Sequence, residues 1–368
     1  MSTFGSRLFR GAAIAGAALL SLAMVTCGGT STIIPEGPHY HTVANTVLVP
    51  TNNTQAREFG LDLNGDGTVD NQLGMVLGTL AGMGFDIQGT INKAVAEGSV
   101  TLLVDYQGKD FTNTAKAGVA ILLGQNAMPA ACNASETYKC MTSAGSACTS
   151  GSGCTCSGCG HQFAGTASFD LASGQMLQQL PGPTVNGTFN GGPGAIVLQI
   201  ALASAMPITL DLIGARAQAS MISGTAIGMT SGTAPNITTT GGAILGGALT
   251  QDDLNTKVIP AIQQQLVPII QRDCCGAATS PGGATCNPLS TGSNANCGCI
   301  DGSTGKTVLG LFDNNPKDCM VSVMEIQMNS LIQSLLAPDV TINGKPALSL
   351  GIKVTTVGAT YTVPGETP

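Results

Sequence analysis

The hydrophobic period of this chain changes several times, and each change marks an element. From Asn71 to Met83, Leu73, Val76, Leu77, Leu80 and Met83 recur at spacings of three and four, one face of a helix. Ile87 to Ala96 continues the pattern after a break at Gly84. From Ser99 the period becomes two. Val100, Leu102, Val104 and Tyr106 alternate with more polar neighbours, which predicts a strand. Ala117 to Leu123 is a second, more apolar strand, and Ala167, Phe169 and Leu171 share one face of a third. Ala195 to Ala203 is almost wholly apolar and reads as a strand buried on both sides. Met206, Ile208, Leu210 and Leu212 then alternate with Pro207, Thr209 and Asp211. Past Gly214 the apolar set moves to odd positions, Ala215, Ala217, Ala219 and Met221. A one-residue phase change at a glycine predicts a β-bulge or a sharp bend.

Thr250 with Asp253 opens a helix in the manner of a capping box, and Asp252 and Asp253 suit the positive end of its dipole. That helix should run from about Gln251 to Arg272, with Ile259, Ile262, Leu266, Ile269 and Ile270 as its buried stripe. Pro260 and Pro268 should bend or split it. A further helix is expected from about Ser322 to Leu336. Asn343-Gly344 signals a tight turn into terminal strands, Leu348 to Val354 and Ala359 to Val363. The expected fold class is α+β: an antiparallel β-sheet or sandwich from about Val100 to Leu249, closed by the C-terminal strands, with packed helices and two projecting disulfide-rich loops.

The N-terminus changes the picture by setting a compartment. Arg7 and Arg10 precede an apolar run from Gly11 to Met24, the layout of a signal peptide. The run is shorter than the roughly 20 apolar residues of a spanning helix. It ends in Met24-Val25-Thr26-Cys27, which resembles a bacterial lipobox, although Thr26 is larger than the usual small residue. The resemblance implies lipidation of Cys27 and a membrane reached through that anchor. Gly28, by analogy with lipoprotein sorting, implies the outer membrane; simple secretion is the alternative. The domain plan that follows is a signal peptide over 1–26, a tether over 27–53 and one α+β domain over 54–368. The tether is rich in Gly, Ser, Thr and Pro. It carries His39-Tyr40-His41, which could bind a metal but in a linker reads as solvated. Loss of Arg7 and Arg10 lowers the formal charge from −7 to −9. An acidic chain without a basic run argues against nucleic acid as a partner. Charged residues are only 10% of the whole, so the surface must be built from neutral polar residues.

Thirteen cysteines divide as Cys27 and two groups of six. One group is Cys132, Cys140, Cys148, Cys154, Cys156 and Cys159. The other is Cys274, Cys275, Cys286, Cys297, Cys299 and Cys319. Cys154, Cys156, Cys159 and His161 have a zinc-like spacing, but behind an export signal an even dozen reads as disulfides. The loops over 132–161 and 274–319 have too few large apolar residues to hold a shape by burial. Adjacent Cys274 and Cys275 should find different partners.

The clearest chemical motif is Asp62-Leu63-Asn64-Gly65-Asp66-Gly67-Thr68-Val69-Asp70. Calcium takes six to eight oxygens, and Asp62, Asn64, Asp66 and Asp70, with the carbonyl of Thr68, supply them at the spacing of a wrapping loop. The segment resembles an EF-hand loop, and more closely the loops of dockerins and thrombospondin type 3 repeats. Leu73 stands where the bidentate acid usually lies, which leaves that place to water, a carbonyl or a distant acid such as Asp86. A more degenerate second loop is offered by Asp313, Asn315, Asp318, Ser322 and Glu325, with Cys319 at the usual glycine position. The resemblance implies calcium as the cofactor and no catalytic activity. The whole chain also looks like bacterial lipoproteins from which no function follows.

Three histidines and no Gly-x-Ser-x-Gly or His-Glu-x-x-His argue against an enzyme. The expectation is a lipid-anchored, calcium-binding envelope protein that binds or scaffolds an unknown protein or surface ligand. The alternatives are an exported hydrolase using paired carboxylates and a carrier of an apolar ligand.

Overall fold

In a computed structural model, which describes residues 33–82, 85–143, 145, 154–201, 207–220, 222–223, 226–227, 242–274, 297–314 and 317–366, eight antiparallel strands close into a barrel. The elements in chain order are β1 His39–Leu48, α1 Asn53–Glu58, α2 Gln72–Gly82, α3 Ile87–Ala96, β2 Leu102–Gln107 and β3 Thr114–Met128. They continue with β4 Lys139–Thr142, β5 Cys154–Ser157, β6 Ala167–Leu171, β7 Gln179–Val185, β8 Thr188–Ile200 and β9 Ile208–Ser220. Then come the short β10 Ile222–Ser223 and β11 Ala226–Ile227, and β12 Gly242–Leu249. The C-terminal third holds α4 Gln251–Asp253, α5 Ile259–Cys274, α6 Thr304–Phe312, α7 Val323–Met328, α8 Ser330–Leu335, β13 Val340–Ile342 and β14 Lys345–Thr360.

The barrel order is β1-β2-β3-β7-β8-β9-β12-β14. Closure is made by β14, which pairs with β12 over Leu348–Val354 and with β1 over Lys353–Gly358. The fold is therefore β-rich with added helices, as expected, but the sandwich is corrected to a closed barrel. A strand of 16 residues can serve two neighbours at staggered heights, and that stagger is what rolls the sheet shut. Inside, Leu102, Val104, Tyr106, Val119, Leu180, Phe189, Leu198, Leu210, Leu245 and Ile352 form one buried cluster. Eight strands leave an interior just wide enough for side chains to fill. On β9, Leu210, Leu212 and Ala217 are buried while Thr209, Asp211 and Gln218 are exposed, so the outer wall there faces water.

The phase change at Gly214 is a bulge. The register between β9 and β12 shifts between Gly246 and Ala248, and Gly214 adopts φ +60°. A Cβ there would lie 2.8 Å from the Ile342 side chain, so glycine is required twice over. Two strand expectations change. Residues 195–200 are not buried on both sides: Ile196, Leu198 and Ile200 point in, while Val197 is half-buried outside. The segment from 39 to 48, expected as tether, is β1 and closes the barrel between β2 and β14. Residues 27–32 of the expected tether, Cys27 included, and the signal segment lie outside the described residues.

The helices form where the periodicity places them. The run from Gln251 to Cys274 passes through a π-helical turn at Leu254–Val258, just before Pro260, and carries Pro268 inside. A widened turn before a proline accommodates its missing N–H. The expected 322–336 helix is two short ones, split at Asn329, whose side chain caps α8. Asn343 and Gly344 both take positive φ in the turn from β13 to β14.

Four disulfides join described cysteines: Cys132–Cys159, Cys140–Cys156, Cys274–Cys299 and Cys297–Cys319. All stay within their groups. The first ties a loop back on itself, and the second joins directly opposed residues of the β4–β5 hairpin. Cys148, Cys275 and Cys286 lie outside the described residues, as does the side chain of Cys154.

Candidate functional site

Loop 62–70 leaves and re-enters the fold through a bridge between Leu61 and Asp70, with the Asp70 N–H donating to the Leu61 carbonyl at 3.0 Å. Within it the side chains of Asp62, Asn64, Asp66 and Asp70 each hold a backbone amide. Asp62 accepts from the N–H of Gly65 and Gly67 at 2.6 and 2.9 Å. Asn64 accepts from Asp66 at 2.9 Å, and Asp66 from Thr68 at 2.7 Å. Asp70 accepts from Leu63 at 2.8 Å. Gly65 and Gly67 sit at φ +84° and +86°, the left-handed turns that a tightly wound oxygen-lined loop needs.

The charge in this loop is one-sided. Burial pushes the Asp70 carboxyl up from its ordinary range; the Leu63 amide draws it down, and Asp339, Asp66 and Asp62 push it up again. Exposed Asp66 is lowered by its hydrogen bond from the Thr68 backbone. Asp339 is the acid from outside the loop whose charge bears on Asp70. Asp339 binds the N–H of Ser349 at 2.8 Å and its hydroxyl, and that hydroxyl accepts the first amide of α2, from Gln72, at 2.7 Å. Asp86 instead caps α3, accepting from Gly89 at 2.9 Å. Behind the loop, Asn71 is buried and makes four hydrogen bonds. Its amide donates to the carbonyls of Ala56 and Gly351, and its oxygen accepts from Gly74 and Gly351. These bonds anchor the loop and α2 to the barrel.

The second candidate loop is organised around backbone amides. Asp313 accepts from Asp318 and Cys319, both at 3.0 Å, and burial raises its pKa. Asp318 accepts from Met320 at 3.1 Å. Ser322 and Glu325 form a capping box at the start of α7, and Glu325 also accepts from Asn314 at 3.1 Å. Asn315 lies outside the described residues.

Among the described residues, two groups of three or more His, Cys, Asp or Glu bring ligand atoms within 4.8 Å of one another. Neither includes the acids of loop 62–70. One is Asp313 with Cys297 and Cys319, whose sulfurs are joined in a disulfide and offer no thiolate. The other is His39, His41 and Asp105. It arises because β1 and β2 pair His41 directly with Asp105, and strand alternation sends His39, His41 and Asp105 to the outer wall while Tyr40 turns inward toward Tyr106. The His39 Nδ1 lies 2.8 Å from Asp105 Oδ2. The His41 Nε2 lies 3.6 Å from Asp105 Oδ1 and 3.3 Å from Glu366 Oε2. Glu366 arrives on a C-terminal turn in which it exchanges hydrogen bonds with the Val363 backbone. The His41 ring stacks on Tyr361, with centroids 4.4 Å apart. Asp105 is wholly buried; burial raises its pKa and the His39 hydrogen bond lowers it.

His161, the remaining histidine, pairs with Glu136 at 2.6 Å at the edge of the first cystine loop. Cys156 and Cys159 are bridged elsewhere, so the zinc-like spacing there is spent on disulfides. The sequence reading named neither Asp105, Glu366 nor Asp339. Asp105 was visible as the acid beside Val104 and Tyr106 in the alternation that begins at Val100, whereas the other two are brought in by chain folding alone. Comparison with protein-family models, with curated proteins and with solved structures found no match for this chain.

Proposed function

We propose that this chain is an exported envelope protein, lipid-anchored at Cys27 in the outer membrane, that holds calcium in loop 62–70 and binds or scaffolds a protein or surface ligand rather than catalysing a reaction. The observation that carries the calcium reading is uncompensated charge. Asp70 is 9% exposed, and Asp339, Asp66 and Asp62 all oppose its ionisation. The ion pairs made by lysines and arginine among the described residues fall elsewhere, on Glu36, Asp211, Asp253, Asp273 and Asp301. Carboxylates crowded without a counter-charge favour a hard divalent cation, and oxygen is the donor calcium takes. The disulfides support an oxidising compartment. Among the described residues no helix is long and apolar enough to cross a membrane.

The test is calcium titration of chelator-stripped protein followed by thermal melting. Calcium at about 100 times its Kd should add about 2.7 kcal/mol of stability. Asp66→Ala should remove the rise while leaving the melting point without calcium nearly unchanged, because Asp66 is exposed. Absence of any shift in millimolar calcium rejects the reading. One observation favours a second reading, a carrier of an apolar ligand. A cleft of about 280 Å³ between α2, α6 and α8 is lined by Val76, Leu80, Phe85, Val308, Leu311 and Ile332. Lipid extracted from the purified soluble chain would support it.

A further inference from the structure

We propose that His39, His41 and Asp105, closed by Glu366, form a binding site for a divalent first-row transition ion, with zinc the best fit. The site is separate from loop 62–70, and its donor set is of a different class. Two imidazole nitrogens with carboxylates suit zinc and its neighbours, whereas calcium takes oxygen.

Three observations point to an ion. First, ligand atoms of the two histidines and Asp105 already lie within 4.8 Å of one another. Second, the side chains are held short of mutual satisfaction. Asp105 has no exposed surface, yet its Oδ1 has no hydrogen-bond partner, and neither does the buried His41 Nε2 facing it. A buried carboxylate oxygen without a partner costs free energy unless a cation answers it. Third, the spacing around His41 matches coordination better than hydrogen bonding, while His39 Nδ1, now at hydrogen-bond distance from Asp105 Oδ2, has to draw back by about 0.5 Å to share an ion with it. Zinc bonds of about 2.0–2.1 Å at tetrahedral angles set ligand atoms about 3.3–3.5 Å apart. The His41 Nε2 lies 3.3 Å from Glu366 Oε2 and 3.6 Å from Asp105 Oδ1.

The frame around these atoms is built. The β1–β2 register fixes His41 opposite Asp105. Tyr361 holds the His41 ring by stacking, and its own hydroxyl donates to the Thr42 carbonyl. The turn from Val363 to Glu366 brings the second carboxylate from the end of the chain. The ion would therefore clasp the C-terminal segment to β1 and β2, over the small outer core of Val43, Leu103, Leu122, Phe169 and Val363.

The experiment is zinc titration by calorimetry on the purified, chelator-stripped, disulfide-intact chain, with melting in parallel. We expect one equivalent to bind and to raise the melting temperature. His39→Gln and His41→Gln should each weaken binding by about 100-fold or more, beyond the 10–100-fold typical of losing an outer-shell partner. Asp66→Ala should bind zinc as the unaltered chain does, which separates this site from the calcium loop. Zinc-edge absorption on the unaltered loaded chain should show two imidazoles with oxygen neighbours, a readout independent of any variant's folding. No zinc uptake, uptake indifferent to His41→Gln, or an absorption spectrum lacking imidazole would overturn the proposal.

Discussion

Asn71 is the point where the acidic loop, α2 and the barrel are held together, and its replacement gives a number to check. Its side chain is 3% exposed and makes four hydrogen bonds of 2.8–3.0 Å, to Ala56, Gly74 and both backbone groups of Gly351. Asn71→Ala deletes all four and strands those backbone groups where water has little access. At about 1 kcal/mol net per bond, and more wherever a buried group stays unsatisfied, the cost should be about 3–4 kcal/mol. At about 2 °C per kcal/mol for a chain of this size, the melting temperature should fall by about 6–8 °C. Asn71→Asp is the sharper control. It retains the acceptor role toward Gly74 and Gly351 but cannot donate to the two carbonyls, and it adds a buried negative charge. It should destabilise at least as much as alanine, although its shape is nearly unchanged. Urea denaturation followed by circular dichroism measures both. A midpoint for Asn71→Ala within about 1 kcal/mol of the unaltered chain would refute the view that these bonds anchor the loop.

The two bridges Cys140–Cys156 and Cys274–Cys299 should differ in reach. Cys140→Ser with Cys156→Ser should speed proteolysis within 139–157 while hardly moving the main melt, because β4 has no buried residue. Cys274 is 3% exposed in the main core, and replacing Cys274 and Cys299 by Ser should lower global stability by about 3 kcal/mol, the loop-closure scale of a 25-residue separation. Equal effects on the main melt would contradict this. A third check is pH. The Asn133 backbone amide and then His161 hold Glu136 down from the usual 4.5 to about 2. A lowered carboxyl contributes stability above pH 4.5 and loses it as pH falls toward 2. The melting difference between the unaltered chain and Glu136→Gln should therefore shrink steeply over that window and vanish below pH 2; a difference as large at pH 2 as at pH 5 would sink the assignment.

What the sequence disclosed was local. The bulge at Gly214 left a phase change because a bulge moves the inward face by one residue, and inward residues must be apolar. The turn at Asn343-Gly344 was legible because few other pairs accept two positive φ angles. Loop 62–70 was legible because its turns are made by its own side chains. The C-terminal strands were expected to close the sheet, but closure into a barrel was not legible, since it needs β1 as the second neighbour of β14 and the residues of β14 alternate in the same way whether they meet one neighbour or two.

The misreading of β1 follows from the same limit and bears on the metal site. Pro35, Pro38 and Pro50 bracket the segment, and such flanks suit a linker. Yet Tyr40, Thr42 and Ala44 alternate with His41 and Val43, and a register shift between Ala44 and Thr46 then brings Val47 into the barrel core with Ala44, so no single period runs the length of the strand. Tyr40 and Ala44 pack toward the barrel, while Val43 packs under β6 and the C-terminal segment. A strand buried on two sides by different partners loses the apolar–polar contrast on which periodicity depends. The two imidazoles were in view from the start. Asp105, 64 residues after His41, became their neighbour only through the β1–β2 register, and Glu366 only through the return of the chain end. A polar cluster assembled from such distant positions has no sequence spacing to betray it. Its signature is physical: a carboxylate wholly out of water, facing a ring nitrogen that it does not reach.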